Sequence, residues 1–292
     1  MTSAAGNAWL RAMPVVFVLI WSTGFIVAKL GMPHAPPMAF LAWRYTLSIV
    51  AIGVWIALSR SVSWPREPRQ WFHLGVLGTM QHAGYLGGVW AAVKAGMPAG
   101  LAALIVCLQP VLTAAWVSWR GAAHRVSSRQ WLGLTLGLVG LTLVLWRRMQ
   151  GGELGATSLA LAVGALLSIT VGTLYQKRFV APVDVRTANL VQLAAALLVT
   201  LPLTLLEHET MQWSVPLWSA LGWSVLALTL GGSSLLYLLI QRGAATEVTS
   251  LFYLVPPCTA LMAWLGFGES ITPSMLLGML MCATAVFLVR RG

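Results

Sequence analysis

Residues 12–32 read AMPVVFVLIWSTGFIVAKLGM, and Lys29 is the only charge among them. A helix rises about 1.5 Å per residue, so this run spans roughly 30 Å, the thickness of a bilayer's hydrocarbon core. The run is continuously apolar. It lacks the in-out alternation of a membrane β-strand. It is also too long for the apolar part of a secretory signal, and no small-residue cleavage site follows it. The expectation is a retained first transmembrane helix.

Nine further stretches have the same character, near 37–58, 71–93, 97–119, 130–146, 157–177, 185–206, 216–241, 247–267 and 272–289. The predicted fold class is therefore all-α: a polytopic membrane protein of ten transmembrane helices. Composition agrees. Only 9% of residues are charged and 58% are apolar, against about 25% charged in an ordinary soluble domain. Cys107, Cys258 and Cys282 fall inside spans at no metal or redox spacing, so they read as packing residues. Neither a metal nor a cofactor is expected.

A net charge of +11 raises the question of a nucleic-acid partner, but the distribution of the charge answers it. With loops numbered by side from the N-terminus, 13 of the 18 Lys and Arg fall on side one and three on side two. Lys29 and Arg44 lie within spans. Cytoplasmic loops carry the Lys/Arg excess, so both termini are expected in the cytoplasm and the number of spans is even. The charge is accounted for by topology. The expected partners are the lipid bilayer and a small-molecule substrate, with no nucleic acid, and the chain is expected to be a monomer.

The two halves resemble each other at a nearly fixed offset. Gly24 and Gly172, Lys29 and Lys177, and Arg44 and Gln192 are all 148 apart. Trp71 and Trp218, and Leu74-Gly75 and Leu221-Gly222, are 147 apart. Pro110 and Pro256 are 146 apart, and Gly133 and Gly278 are 145 apart. This predicts two five-helix repeats, residues 1–150 and 151–292. An odd number of spans per repeat inserts the second copy upside down, which is a recurring plan of secondary transporters. Such proteins bind their solute near the midplane, where the repeats meet.

Several local stretches carry a resemblance to a family. The first span holds Leu19-Ile20-Trp21-Ser22-Thr23-Gly24-Phe25, and the second Ala42-Trp43-Arg44-Tyr45. The fourth runs from Ala95-Gly96-Met97-Pro98-Ala99-Gly100 to Leu108-Gln109-Pro110-Val111. The ninth echoes it, from Ala244-Ala245 through Leu254-Val255-Pro256-Pro257 to Gly268-Glu269. Over its whole length the chain resembles ten-helix exporters of the EamA type in the drug/metabolite transporter superfamily. One departure is Trp119-Arg120-Gly121-Ala122, where the first repeat lacks the Glu that often follows its fourth helix. The resemblance implies an inner-membrane secondary transporter that exports small metabolites by alternating access, with amino acids, aromatic metabolites or cationic compounds as cargo. Amino-acid exporters of the YddG type are the nearest comparison within the family.

Polar groups inside spans usually face the bundle interior or a wet cavity. The third span offers Gln81, His82 and Tyr85, the last two on one helix face; His82 can donate to a carboxylate, relay a proton or simply bond a neighbouring helix. The eighth offers Thr229, Ser233, Tyr237 and Gln241 at a spacing of four, either lining a path or gluing helices together. Trp21 and Trp90 suggest an aromatic wall, and Gln109, Tyr175 and Tyr253 complete the candidate substrate-binding set. Gly87-Gly88 and Gly231-Gly232 are candidate hinges, and Pro110 and Pro256-Pro257 candidate kinks that shape a gate. Arg44 cannot face lipid, because a charge near the midplane costs at least roughly 2.5–3.5 kcal/mol. Its expected role is to snorkel or to brace helix ends, with a solute carboxylate as the alternative.

None of the seven acidic residues lies deep in a span. A buried carboxylate for ion coupling is therefore missing, and uncoupled facilitation stays open beside the carrier. The sequence has no phosphate-binding Gly-Lys loop, no His-Glu-x-x-His and no Gly-x-Ser-x-Gly, which argues against an enzyme. A channel built on charged rings or carbonyl filters fits a repeat of this kind less well.

Overall fold

The computed structural model describes residues 4–119, 155–242, 251–268 and 271–290, with isolated positions between 127 and 139 and at 248; side chains are described from Ala12 onward, with gaps in the last helix. The expected fifth span, 130–146, lies largely outside these residues, as do Arg120, Glu247 and Glu269.

Among the described residues the chain is helical throughout. The helices are α1 (Ala4–Gly31), α2 (Pro37–Ala57), α3 (68–94), α4 (Ala99–Trp119), α5 (Ala156–Phe179), α6 (Val185–Thr204), α7 (Val215–Arg242), α8 (Val255–Phe267) and α9 (Pro273–Arg290). Six described segments are long and apolar enough to cross a membrane: Ala12–Gly31 of α1, and α2, α4, α5, α6 and α7. Helix α8 is apolar but short. Helix α3 has the length, but Gln81, His82 and several glycines dilute its apolar character.

Local chemistry sets the ends. Pro37 opens α2, where its missing N–H costs nothing. The N–H groups of Met38 and Ala39 that follow are taken up by Glu207, whose Oε1 and Oε2 accept at 2.7 and 2.9 Å. Asp184 caps α6 by accepting from Arg186 N–H at 2.9 Å. Ser214 caps α7 by accepting from Leu217 N–H at 3.4 Å. Helix α3 closes with Gly96 at φ 92°, its N–H bonded to Val93 O and that of Met97 to Ala92 O. That pair of bonds is the Schellman closure, which needs a left-handed residue at this point.

Two helices widen in the middle. Residues Thr79–Leu86 of α3 and Ser224–Ser233 of α7 form π-helix, a rare form in which the ladder runs from i to i+5. Two others break. Helix α4 is interrupted at Cys107 and Leu108, so Pro110 stands in the first turn of its second half, Gln109–Trp119. Pro256 and Pro257 likewise stand in the first turn of α8, after a 3-10 turn at Leu251–Leu254. All three prolines thus sit where a helix tolerates them.

The outward faces carry exposed Val50, Val54, Leu198, Leu226 and Leu280, while Arg44, Gln109, Thr173, Gln176 and Gln192 are buried. A fold with this inside-out polarity is stable only when its outer faces meet lipid. Inside, α2 packs on α6, α3 on α5 and α6, α1 on α7 and α8, and α4 on α5 and α8. Close approach is bought by glycine on α3. A Cβ at Gly78 would lie 2.2 Å from Gln192 O, and one at Gly88 2.8 Å from Leu161 O.

Gly78→Ala forces α3 and α6 apart, because the obstacle is backbone that cannot rotate away. Overpacking of this kind costs about 1–3 kcal/mol and is expected as a lower melting temperature in detergent. Asp184 gives a pH test. Hydrogen bonds from Arg186 hold its carboxyl below the usual carboxylate range. The resulting stability is present above an ordinary Asp pKa of about 3.9 and is lost as pH falls through the lower folded value. Asp184→Asn therefore lowers the melting temperature at neutral pH and flattens its acid decline; an unchanged decline removes Asp184 as its source.

Candidate functional site

A cavity opens where α1, α2, α3, α5 and α7 converge. Its wall holds Trp21, Gly24 and Phe25 of α1, Arg44 of α2, Gln81, His82, Tyr85 and Trp90 of α3, Ile169 of α5, and Leu228, Ser233 and Leu236 of α7. Its volume is about 30 Å³, room for roughly two waters.

One wall is aromatic. Trp21 lies nearly parallel to Tyr85, with centroids 6.1 Å apart and planes 5° apart. Phe17 and Phe252 brace Trp21 from behind, at 5.1 and 5.5 Å. Phe40 stacks on Trp90 at 4.4 Å.

The other wall is polar and is organised by the π segments. Four of their carbonyls also accept side-chain hydroxyls. Tyr45 donates its hydroxyl to His82 O at 2.8 Å, and Ser168 donates to Met80 O at 2.8 Å. On α7, Thr229 donates to Ser224 O at 2.9 Å and Ser233 to Leu228 O at 3.3 Å, both across five residues. The Thr229 oxygen in turn accepts from Arg44 Nε at 3.1 Å. Arg44 is 2% exposed, so it does not snorkel, and its Nη1 has no hydrogen-bond partner. Its guanidinium carbon lies 5.9 Å from the Trp90 ring centroid. His82 is 3% exposed, and its Nδ1 likewise has no partner. Gln81 Nε2 reaches Gln176 Oε1 at 3.4 Å and links α3 to α5.

Of the sequence candidates, Trp21, Gln81, His82, Tyr85, Trp90 and Ser233 therefore come together at one cavity. Thr229 and Gln241 are not part of its lining, and neither are three other candidates. Gln109 donates to Thr173 Oγ1 at 2.9 Å and holds the second half of α4 to α5. Tyr175 meets His73 Nδ1 at 2.6 Å and Phe179 at 4.8 Å, at the far end of α5. Tyr237 packs with Leu74, Ala188 and Val191. Ser233 lines the cavity, whereas Tyr237, one turn further along in the α segment Ser234–Arg242, packs against α3 and α6 instead. The Tyr253 side chain lies outside the described residues. Gly87 and Gly88 begin the α turn directly after the first π segment, and Gly231 and Gly232 fall within the second. Arg44 is the lining residue whose place the sequence reading assigned to structure.

An apolar helical bundle with a small, mixed aromatic and polar cavity at its centre defines a multi-pass membrane protein that handles small solutes. The profile of the EamA-like transporter family matches this chain twice, over residues 10–146 and 156–291. The chain belongs to that family and is a membrane transporter of the drug/metabolite superfamily. It is 26% identical to the uncharacterized transporter YvbV of Bacillus subtilis, over 93% of this chain and 88% of that one. It is 23% identical to the uncharacterized inner membrane transporter YedA of Escherichia coli, over 94% and 88%. A probable amino-acid metabolite efflux pump of Salmonella typhimurium is 26% identical over 57% of this chain and 52% of its own length. A solved crystal structure shares the fold, with a TM-score of 0.74, 19% identity and 96% of each chain covered.

Because Gln109 bridges helices away from the cavity, Gln109→Ala is expected to lower stability by about 1–3 kcal/mol, seen in the melting temperature, while solute affinity stays unchanged. A loss of affinity at full stability places Gln109 in the solute path instead.

Proposed function

We propose that the protein is a secondary carrier of a bacterial inner membrane that exports small metabolites, amino acids foremost, by alternating access. In this reading ten spans form two inverted repeats, residues 1–150 and 151–292, with both termini in the cytoplasm. The double family match supports the division. So does the packing, which is mirrored between halves. Helix α1 packs on α7 and α8, and its counterpart α5 packs on α3 and α4. Helices α2 and α6 pair with each other, as do α4 and α8. The π segments of α3 and α7 occupy matching places, as do the prolines that open the later half of α4 and α8.

The observation that carries the reading is the cavity itself, whose walls come from both halves. The residues read as touching solute are Trp21, Gln81, His82, Tyr85 and Ser233. Bonds between the halves close the bundle at each end. At one end Glu207 holds the start of α2, Lys94 Nζ pairs with Glu209 at 2.5 Å, and Gln212 N–H reaches His34 O at 2.8 Å. At the other, Arg186 Nη2 donates to Ser61 O at 2.8 Å and Thr187 Oγ1 to Ser63 O at 3.0 Å. Alternating access asks that one set opens while the other holds. The glycine pairs and proline breaks are the points at which the helices would flex. The amino-acid assignment is supported by the name of the Salmonella relative.

An uncoupled facilitator is the second reading. Among the described residues no carboxylate lines the cavity, which leaves ion coupling without its usual group.

Proteoliposomes decide between these. A carrier gives saturable counterflow of a labelled amino acid, whereas a channel gives current without counterflow. A pH gradient that leaves counterflow and net flux unchanged selects the facilitator. His82→Ala is expected to reduce flux severalfold in folded protein, and unaltered flux and affinity remove His82 from the site.

A further inference from the structure

A buried cation stands in the cavity wall with no carboxylate beside it among the described residues. Arg44 is 2% exposed, and a guanidinium carries five N–H donors and no acceptor. One of these, Nε–H, is spent on Thr229. Thr229 has committed its own hydrogen to Ser224 O, so it can only accept from Arg44 and fixes the orientation of the guanidinium. Nη1 has nothing to donate to. An ion held in a dry site is costly unless it is paired.

The described carboxylates are placed elsewhere. Glu67 precedes α3 and Asp184 precedes α6. Glu207 and Glu209 are engaged in the loop before α7. Beside Arg44 in the wall stand His82, with Nδ1 also unpartnered, and the rings of Trp21, Tyr85 and Trp90. A fixed fork of charged donors next to aromatic surface matches a carboxylate joined to an apolar or aromatic body.

We infer that Arg44 is the receptor for the carboxylate of the transported solute, so that the cavity takes aromatic and apolar monocarboxylates and amino acids and rejects organic cations. This rests on the carrier reading and narrows it, because the same cavity without Arg44 would suit cationic aromatics as well. A small inorganic anion offers the guanidinium the same chemistry, and the test separates the two.

Binding to the purified full-length protein is measured by calorimetry with 3-phenylpropionate, phenylalanine and phenethylamine, three probes that share a ring and differ in charge. The two carboxylates are expected to bind, and the amine at least about tenfold more weakly. Arg44→Gln should weaken 3-phenylpropionate by roughly 10- to 100-fold and erase the discrimination. Arg44→Lys keeps the charge but loses the fork, so it should keep the preference at lower affinity. Thr229→Val frees the guanidinium to turn and should cost a few-fold. Should Arg44→Gln fail to fold, the carboxylate-to-amine affinity ratio in the other two variants reads the same contact.

Equal binding of amine and carboxylate, or a ratio untouched by every variant that folds, overturns the assignment. It is also overturned if chloride exchanged for isethionate alters wild-type stability through Arg44 while the carboxylate probes do nothing, since the site then takes an inorganic anion. Arg44-dependent carboxylate binding without any counterflow sinks the carrier and leaves the receptor standing. Counterflow of carboxylates indifferent to Arg44 does the reverse.

Discussion

In hydrocarbon a polar group has no water to turn to and must find its partners inside the bundle. That constraint shapes the centre of this molecule. In the widened turns of α3 and α7 the carbonyls of Met80, His82, Ser224 and Leu228 each accept a hydroxyl, from Ser168, Tyr45, Thr229 and Ser233. Two of these hydroxyls come from other helices, so satisfying the backbone also ties the helices together. The Thr229 hydroxyl that caps Ser224 also aims Arg44. Polar groups needed for accounting thus become the groups that position the site.

The same constraint explains what the sequence disclosed and what it withheld. The long apolar runs, such as 12–32 and 185–206, are legible because length and hydropathy are local properties. Trp21, Gln81, His82, Tyr85 and Ser233 were legible for a related reason: polar or aromatic residues in mid-span are conspicuous. The π turns were not. They depend on which donors lie across the interface, and Tyr45 and Ser168 are 37 and 88 residues from the carbonyls they serve. Tyr237 lies outside the cavity lining because a stripe counted in fours does not show how far along the helix the cavity extends. Arg44 shows the limit most clearly. Its oddity is visible in the sequence, but Thr229 is 185 residues away, and only the fold turns a lone cation into a wall of the cavity.

The site is narrow in chemistry as well as in volume. Its aromatic wall is rigid, with Trp21 held by Phe17 and Phe252, and its polar wall is fixed by bonds to backbone. Little remains free to adapt except the spacing between helices. Under the carrier reading, selection among solutes falls to shape and charge at a few fixed points, and admission to the separation of the helices.

The contact of α3 with its neighbours bears on that separation. At Gly78 a Cβ would meet the backbone of α6, and at Gly88 the backbone and the Ala165 Cβ of α5. A Cβ at Gly78 would meet main chain that cannot rotate aside, so the closed spacing of the two halves is set there by a missing side chain.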